Sequence, residues 1–139
     1  MWNVGIIGAT GYTGATLLSI LLRHPQIKIK LVTSNTYKGK KISEVFPSFK
    51  GVFEERLVPT EDDHRGKCDV YFLCLPHGTS MKTAKHLFDG KVVIIDLSAD
   101  FRFEDINIYE SAYVKHTASG LNSKAVYGLP ELYRKKIRN

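Results

Sequence analysis

Several features that would take a chain out of the ordinary globular class are scarce or missing here. Cysteine is limited to Cys68 and Cys74. These flank or sit inside one apolar run, which gives neither a disulfide framework nor a close pair of metal ligands, so both are expected as buried thiols. No apolar stretch approaches the ~20 residues that cross a bilayer. The start Met1-Trp2-Asn3-Val4 runs into a glycine motif with no charged leader and hydrophobic segment before it. A cytoplasmic protein without a membrane partner is therefore expected. Repeats and low-complexity linkers are also lacking, and nothing in residues 1–139 argues for a second complete domain. Acidic residues are outnumbered, 14 against 20 Lys and Arg. Yet the basic residues gather at Lys38 to Lys41 and Arg134 to Arg138 without interleaved aromatics or a reading motif, so no nucleic-acid partner is expected. A small anion suffices to explain the first cluster.

What is present alternates between two periods. Trp2 to Ile7 is apolar and β-branched and ends at Gly8, and Leu17, Leu18, Leu21 and Leu22 then recur at helical spacing until Pro25. Ile27 to Val32 alternates like a second strand with one partly wet face, and Phe53 to Val58 suggests a short third. Asp69 to Leu75 is a continuous run of strand length, followed by a helix carrying Met81, Ala84, Leu87 and Phe88 up to Asp89-Gly90. Val92 to Leu97, wholly apolar up to its end, predicts a central parallel strand covered on both faces. Beyond Asp100 the pattern is irregular through Ser123, and Pro130 stands near the start of a short basic helix or turn. The fold class predicted is α/β, a Rossmann-type doubly wound, mainly parallel sheet with helices on both faces.

Three places carry chemistry. Gly8, Gly11 and Gly14 stand at three-residue intervals within Gly8-Ala9-Thr10-Gly11-Tyr12-Thr13-Gly14, directly after a strand and at the start of a helix. The first permits a tight turn, the second lets the backbone approach a pyrophosphate, and the third allows close helix contact, while free N–H groups at the helix start face the anion. Thr10, Tyr12 and Thr13 fall in the same cofactor-binding stretch. At the end of the second strand, where an NAD site places an acidic residue, the sequence reads Thr33-Ser34-Asn35-Thr36, with Lys38, Lys40 and Lys41 following. No carboxylate stands there to repel a 2′-phosphate, so NADP is the cofactor expected, with Ser34 and Lys38 as phosphate ligands. Pro76, His77 and Gly78 follow the next long apolar run at the carboxyl edge of the sheet and are expected to line the nicotinamide side. A loop histidine ordinarily makes a plain hydrogen bond, and His77 is not assigned a catalytic role. Asp96 to Arg102 is read as an Asp–Arg pair anchoring its loop. No metal-ligand set and no catalytic residue are assigned within these residues.

Taken together, these motifs resemble the N-acetyl-gamma-glutamyl-phosphate reductases. The resemblance runs from Val4 to Gly14, then through His24-Pro25, Leu75 to Gly78, Asp96 to Arg102, and Val126 to Leu132. The glycine motif is shared with aspartate-semialdehyde dehydrogenases, and the last three are more specific. The resemblance implies a two-domain NADP-dependent oxidoreductase of arginine biosynthesis, a homo-oligomer when full length. It would reduce N-acetylglutamyl 5-phosphate to N-acetylglutamate 5-semialdehyde with release of phosphate. A cysteine thiolate would form a thioester that hydride from the nicotinamide reduces, assisted by a histidine of the second domain.

The sequence departs from that family in two places. In relatives the catalytic cysteine lies in an Asn-Pro-Gly-Cys-Tyr segment downstream of the Gly-Leu-Pro-Glu motif, and this chain reaches Asn139 first. Cys68 and Cys74 do not align with it. Residues 1–139 are accordingly expected to be an incomplete NADP-binding domain that meets the acyl-phosphate substrate only together with a further domain. Asn35 stands where relatives commonly carry an arginine for the 2′-phosphate, which leaves that charge to Lys38 or its neighbours. The alternatives are a self-standing dinucleotide-binding regulatory module and a related semialdehyde dehydrogenase.

Overall fold

The computed structural model describes residues 1–138. In chain order the elements are β1 (Trp2–Ile7), α1 (Tyr12–Leu21), β2 (Ile27–Val32), α2 (Ile42–Val45), a 3-10 turn (Pro47–Phe49), β3 (Val70–Leu73), α3 (Thr79–Leu87), β4 (Val93–Asp96), α4 (Ile106–Ala112), α5 (Ser119–Asn122) and α6 (Pro130–Arg138). The four strands are all parallel, in the order β2-β1-β3-β4. A parallel sheet with intervening helices is the predicted Rossmann-type architecture.

Each face of the sheet has its own core. Val4, Ile6, Ile29 and Val32 project to one side and pack with Leu18 of α1, Ile42 of α2, and Phe49 and Leu57. Ile7, Leu31, Tyr71 and Leu73 project to the other, against Ala84 and Leu87 of α3. On β1 and β3 alternation produces this division, because successive side chains of a pleated strand point to opposite faces; on β2 the register shifts opposite Val4 and Gly5, and Ile29 falls on the same side as Val32. Beyond the end of β4, Met81, Tyr109 and Ala118 form a third cluster joining α3 to the segment from Ala99 onward.

Three expectations are corrected. Phe53 to Val58 forms no strand, because its backbone bonds to the loop before α2 instead of to the sheet: Ile42 N–H donates to Glu55, Gly39 N–H to Leu57, and Leu57 N–H to Lys40. Only Val58 reaches β2's end, donating to Val32 and accepting from Ser34. Among the described residues the last apolar run makes an edge strand and not a central one, and Val93 and Ile95 of β4 are 49% and 38% exposed. A continuous apolar run reports burial on two faces only if both are covered, and among the described residues no helix covers Val93 and Ile95 of β4. Finally, the stretch from Asp100 to Ser123 contains α4 and α5, with Asp105 capping α4 by accepting from Asn107 N–H at 2.8 Å. Both helices are too short for a periodic signal. The basic helix beginning at Pro130 is present as α6.

Candidate functional site

Strand order reverses at β1. The chain moves to β2 on one side, then crosses to β3 on the other, so the loops after β1 and β3 open a crevice at the carboxyl ends of the strands. The glycine turn forms one wall. Gly8 has φ +85°, and a Cβ there would lie 2.5 Å from the Cys74 carbonyl oxygen, so this turn and the end of β3 touch. A Cβ on Gly14 would meet the Gly8 carbonyl oxygen at 2.4 Å, which is why α1 can start so close to the turn. Gly11 differs: nothing of the protein approaches its Cβ position closer than 3.8 Å. It is also the N-cap of α1, with no side chain capping the helix and no acidic residue in its first turn. The amides of that turn are therefore left for an anion. Tyr12 and Thr13 stand exposed at this end, Tyr12 at 98%.

The end of β2 supplies the second wall. Thr33, fully buried, is a site residue that the motifs do not mark: its Oγ1 accepts from Gly8 N–H at 3.0 Å and shares a hydrogen bond with Thr60 Oγ1 at 2.8 Å. Its signal was a polar residue closing an apolar strand. Ser34 is 4% exposed, and its hydroxyl is engaged with Thr10 Oγ1 at 2.8 Å and with Tyr37 N–H at 3.2 Å. This serine thus ties the glycine loop to the following turn. Asn35 accepts from Thr60 N–H at 2.7 Å. Lys38 is exposed in the turn beyond. Of its neighbours, Lys41 lies 3.6 Å from Glu54 and Lys40 over the Tyr37 ring at 5.8 Å. Arg56, which no sequence motif singles out, joins this basic turn by donating to the Gly39 carbonyl at 2.8 Å.

Pro76 and His77 are exposed on the far side, and Gly78 adopts φ +78° at the N-cap of α3. His77 lies edge-on to Tyr113, with ring centroids 5.1 Å apart. Beneath them is Asp100, whose carboxylate accepts from Gly78 N–H at 2.9 Å, Met81 N–H at 2.7 Å and the Tyr109 hydroxyl at 2.7 Å. The loop after β4 is held in this way and not by the expected Asp–Arg pair. Arg102 donates instead to the Leu97 carbonyl at 3.0 Å, and Asp96 bonds Ser80 and Ser98. Burial raises the Asp96 carboxyl above its ordinary value, helped by the Asp100 charge and opposed by the two serines.

Neither thiol is a poised nucleophile. Cys68 is buried and Cys74 half-buried, and desolvation pushes each up to about 11. Since the thiolate is the reactive species, both are nearly inert at neutral pH.

Residues 3–139 match the family described as semialdehyde dehydrogenase, NAD binding domain. Among curated proteins, the chain is 46% identical over 140 residues to an N-acetyl-gamma-glutamyl-phosphate reductase of Desulforamulus reducens, covering 99% of this chain and 40% of that protein. A reductase of the same name from Methanopyrus kandleri is 44% identical, covering 97% of this chain and 40% of its own length. The chain thus spans about 40% of the length of these relatives. Among solved structures, that of aspartate semialdehyde dehydrogenase with NADP from Candida albicans matches with a TM-score of 0.62 and 21% identity. It covers 76% of this chain and 32% of that one, a likeness of fold.

Proposed function

The chain belongs to the semialdehyde dehydrogenase family, through its NAD-binding domain, and we propose that it binds NADP(H) for an oxidoreductase converting N-acetylglutamyl 5-phosphate to N-acetylglutamate 5-semialdehyde and phosphate, a step of arginine biosynthesis. The observation that carries the cofactor reading is the uncapped start of α1 behind an open Gly11, beside a β2 end that bears no carboxylate and is followed by a turn carrying Lys38. The cradle fits the group. A pyrophosphate has free amides to accept from and space in which to approach. The names of the curated relatives support the substrate and the pathway.

Each part of the crevice then has a task. Gly8, Thr10, Gly11, Tyr12, Thr13 and Gly14 hold the pyrophosphate. Ser34 shapes the adenosine end, where it and Lys38 receive the 2′-phosphate, and Pro76, His77 and Gly78 border the nicotinamide. When bound, the cofactor supplies the hydride, and the protein supplies orientation. The thiol that attacks the acyl phosphate is neither Cys68 nor Cys74, so this stretch binds cofactor without turning over substrate. Catalysis belongs to the longer cytoplasmic homo-oligomer, in which the thiol lies in the segment downstream of the Gly-Leu-Pro-Glu motif and a second domain supplies the assisting histidine.

Titration of the chain with NADP and NAD tests the reading. NADP is expected to bind about tenfold more tightly, as one added charged contact provides, and Lys38→Ala to abolish that preference. Equal affinities would remove the roles of Ser34 and Lys38. Failure to bind either nucleotide would overturn the assignment.

A further inference from the structure

Asp100 is 1% exposed, yet among the described residues no cation faces its carboxylate. A charge in such a place is held by its hydrogen bonds, and here every donor is neutral. Two are amides at the start of α3, Gly78 N–H to both carboxylate oxygens at 2.9 Å and Met81 N–H at 2.7 Å, and the third is the Tyr109 hydroxyl. The positive end of the helix adds to their effect. Arg102, two residues along, turns away to the Leu97 carbonyl, and His116 donates to the Asp100 backbone carbonyl, not to the carboxylate.

The same turn is braced from outside. A Cβ at Gly78 would lie 3.0 Å from Val114 Cγ2. His77 meets Tyr113, and Tyr113 stacks on Tyr109 with centroids 5.0 Å apart. Tyr109 therefore serves both sides, its hydroxyl on Asp100 and its ring behind the aromatic that contacts His77. The residues that border the crevice are exposed, while the group fixing their backbone is buried beneath them.

We propose that Asp100, acting through the Gly78 amide and with Tyr109, is the positioning residue that holds the Pro76–Gly78 turn in the shape the nicotinamide half of the cofactor requires. This rests on the NADP-binding reading above. It separates two functions within one crevice: the glycine turn and the β2 end govern the adenosine and phosphate half, and Asp100 governs the other half alone.

The test uses two ligands, NADP and adenosine 2′,5′-bisphosphate, which carries the adenosine end and lacks nicotinamide. Asp100→Asn keeps the size of the side chain but replaces one acceptor oxygen with an N–H facing backbone donors. It is expected to weaken NADP about tenfold, the loss of charged hydrogen bonds, and to leave the bisphosphate affinity where it was. Equal affinity of variant and wild type for NADP, or a parallel loss of both ligands by a folded variant, overturns the proposal. If Asp100→Asn does not fold, Tyr109→Phe decides in the same way, with a smaller loss confined to NADP. Amide exchange in the unaltered chain is an independent measurement: Gly78 N–H should exchange far more slowly than that of exposed Gly90, and equal rates overturn the proposal. A wild-type chain that binds neither ligand removes the NADP reading and this one with it, whereas normal wild-type binding with an indifferent Asp100→Asn removes only Asp100's role.

Discussion

The three glycines of the first turn have different reasons to be glycine, and substitution separates them. A methyl group on Gly14 would run into the Gly8 carbonyl oxygen and Ala9 Cα, both backbone atoms that can yield only if the turn moves. Gly14→Ala is expected to cost about 1–3 kcal/mol in folding stability, the range of an overpacked site, visible as a lower midpoint in urea. Gly11 has ordinary space around it, and Gly11→Ala should cost no more than the ~1 kcal/mol of a poorer N-cap. Its main effect should be on NADP affinity, because the added methyl stands where the pyrophosphate approaches. Unchanged NADP affinity in Gly11→Ala would show that the Gly11 space is not a ligand cradle. The close backbone approaches at Gly8 and Gly14 were legible in the sequence because glycine spacing encodes them directly. The roles of Thr33 and Asp100 were not, since they act through hydrogen bonds to partners 25 and 22 residues away.

Between elements, the contact from α3 to β4 runs through a charge. Asp96 at the end of β4 accepts from the Ser80 hydroxyl of α3 at 2.6 Å and from Ser98 in the following loop. Its carboxyl is raised from the ordinary value of 3.8, chiefly by burial. The folded chain thus holds this proton more tightly than the unfolded chain does. This group's contribution to stability falls as pH rises from 3.8 through the raised value, and above that the penalty is fully present. Exposed Asp89 and Glu54 are lowered and work in the opposite direction, weakened by solvent. Asp96→Asn keeps an acceptor for Ser80 and the Ser98 amide while removing the half-buried charge. The variant should melt at or above the wild-type temperature at neutral pH, and its advantage should shrink as the solution is acidified through the carboxylate range. Thermal unfolding across that range checks it, and an advantage that grows on acidification contradicts the assignment. Element boundaries were readable where long periods and apolar runs coincided, as in α1, β3 and α3. They failed at Phe53 to Val58, where β-favouring residues satisfy their backbone on a neighbouring loop, and at α4 and α5, which are stabilised by a cap and tertiary contacts more than by their own pattern.

For the molecule as a whole, the two faces of the sheet are unequally covered, something no local pattern in the sequence announced. Trp2, Val93 and Ile95 are exposed on the face that carries Val70 and Phe72, and with Leu21, His24 and Ile27 they line an apolar furrow of about 270 Å³. Parallel sheets are ordinarily buried on both sides, and among the described residues β4 also presents an edge that no further strand pairs. Apolar surface on this scale, beside an open edge, favours association between copies. The chain is therefore expected to form oligomers whose population rises with concentration. Replacing Val93 and Ile95 together with lysine should shift it toward monomer, since two charges on the face oppose burial against a like surface. Neither side chain lies at the carboxyl ends of β1 and β3, so NADP affinity should persist in the monomeric variant. Sedimentation velocity over a concentration series, with and without the paired substitution, decides the matter. A wild-type chain that stays monomeric throughout would mean that the furrow is too small to drive association, and a variant that associates as before would move the contact to another surface.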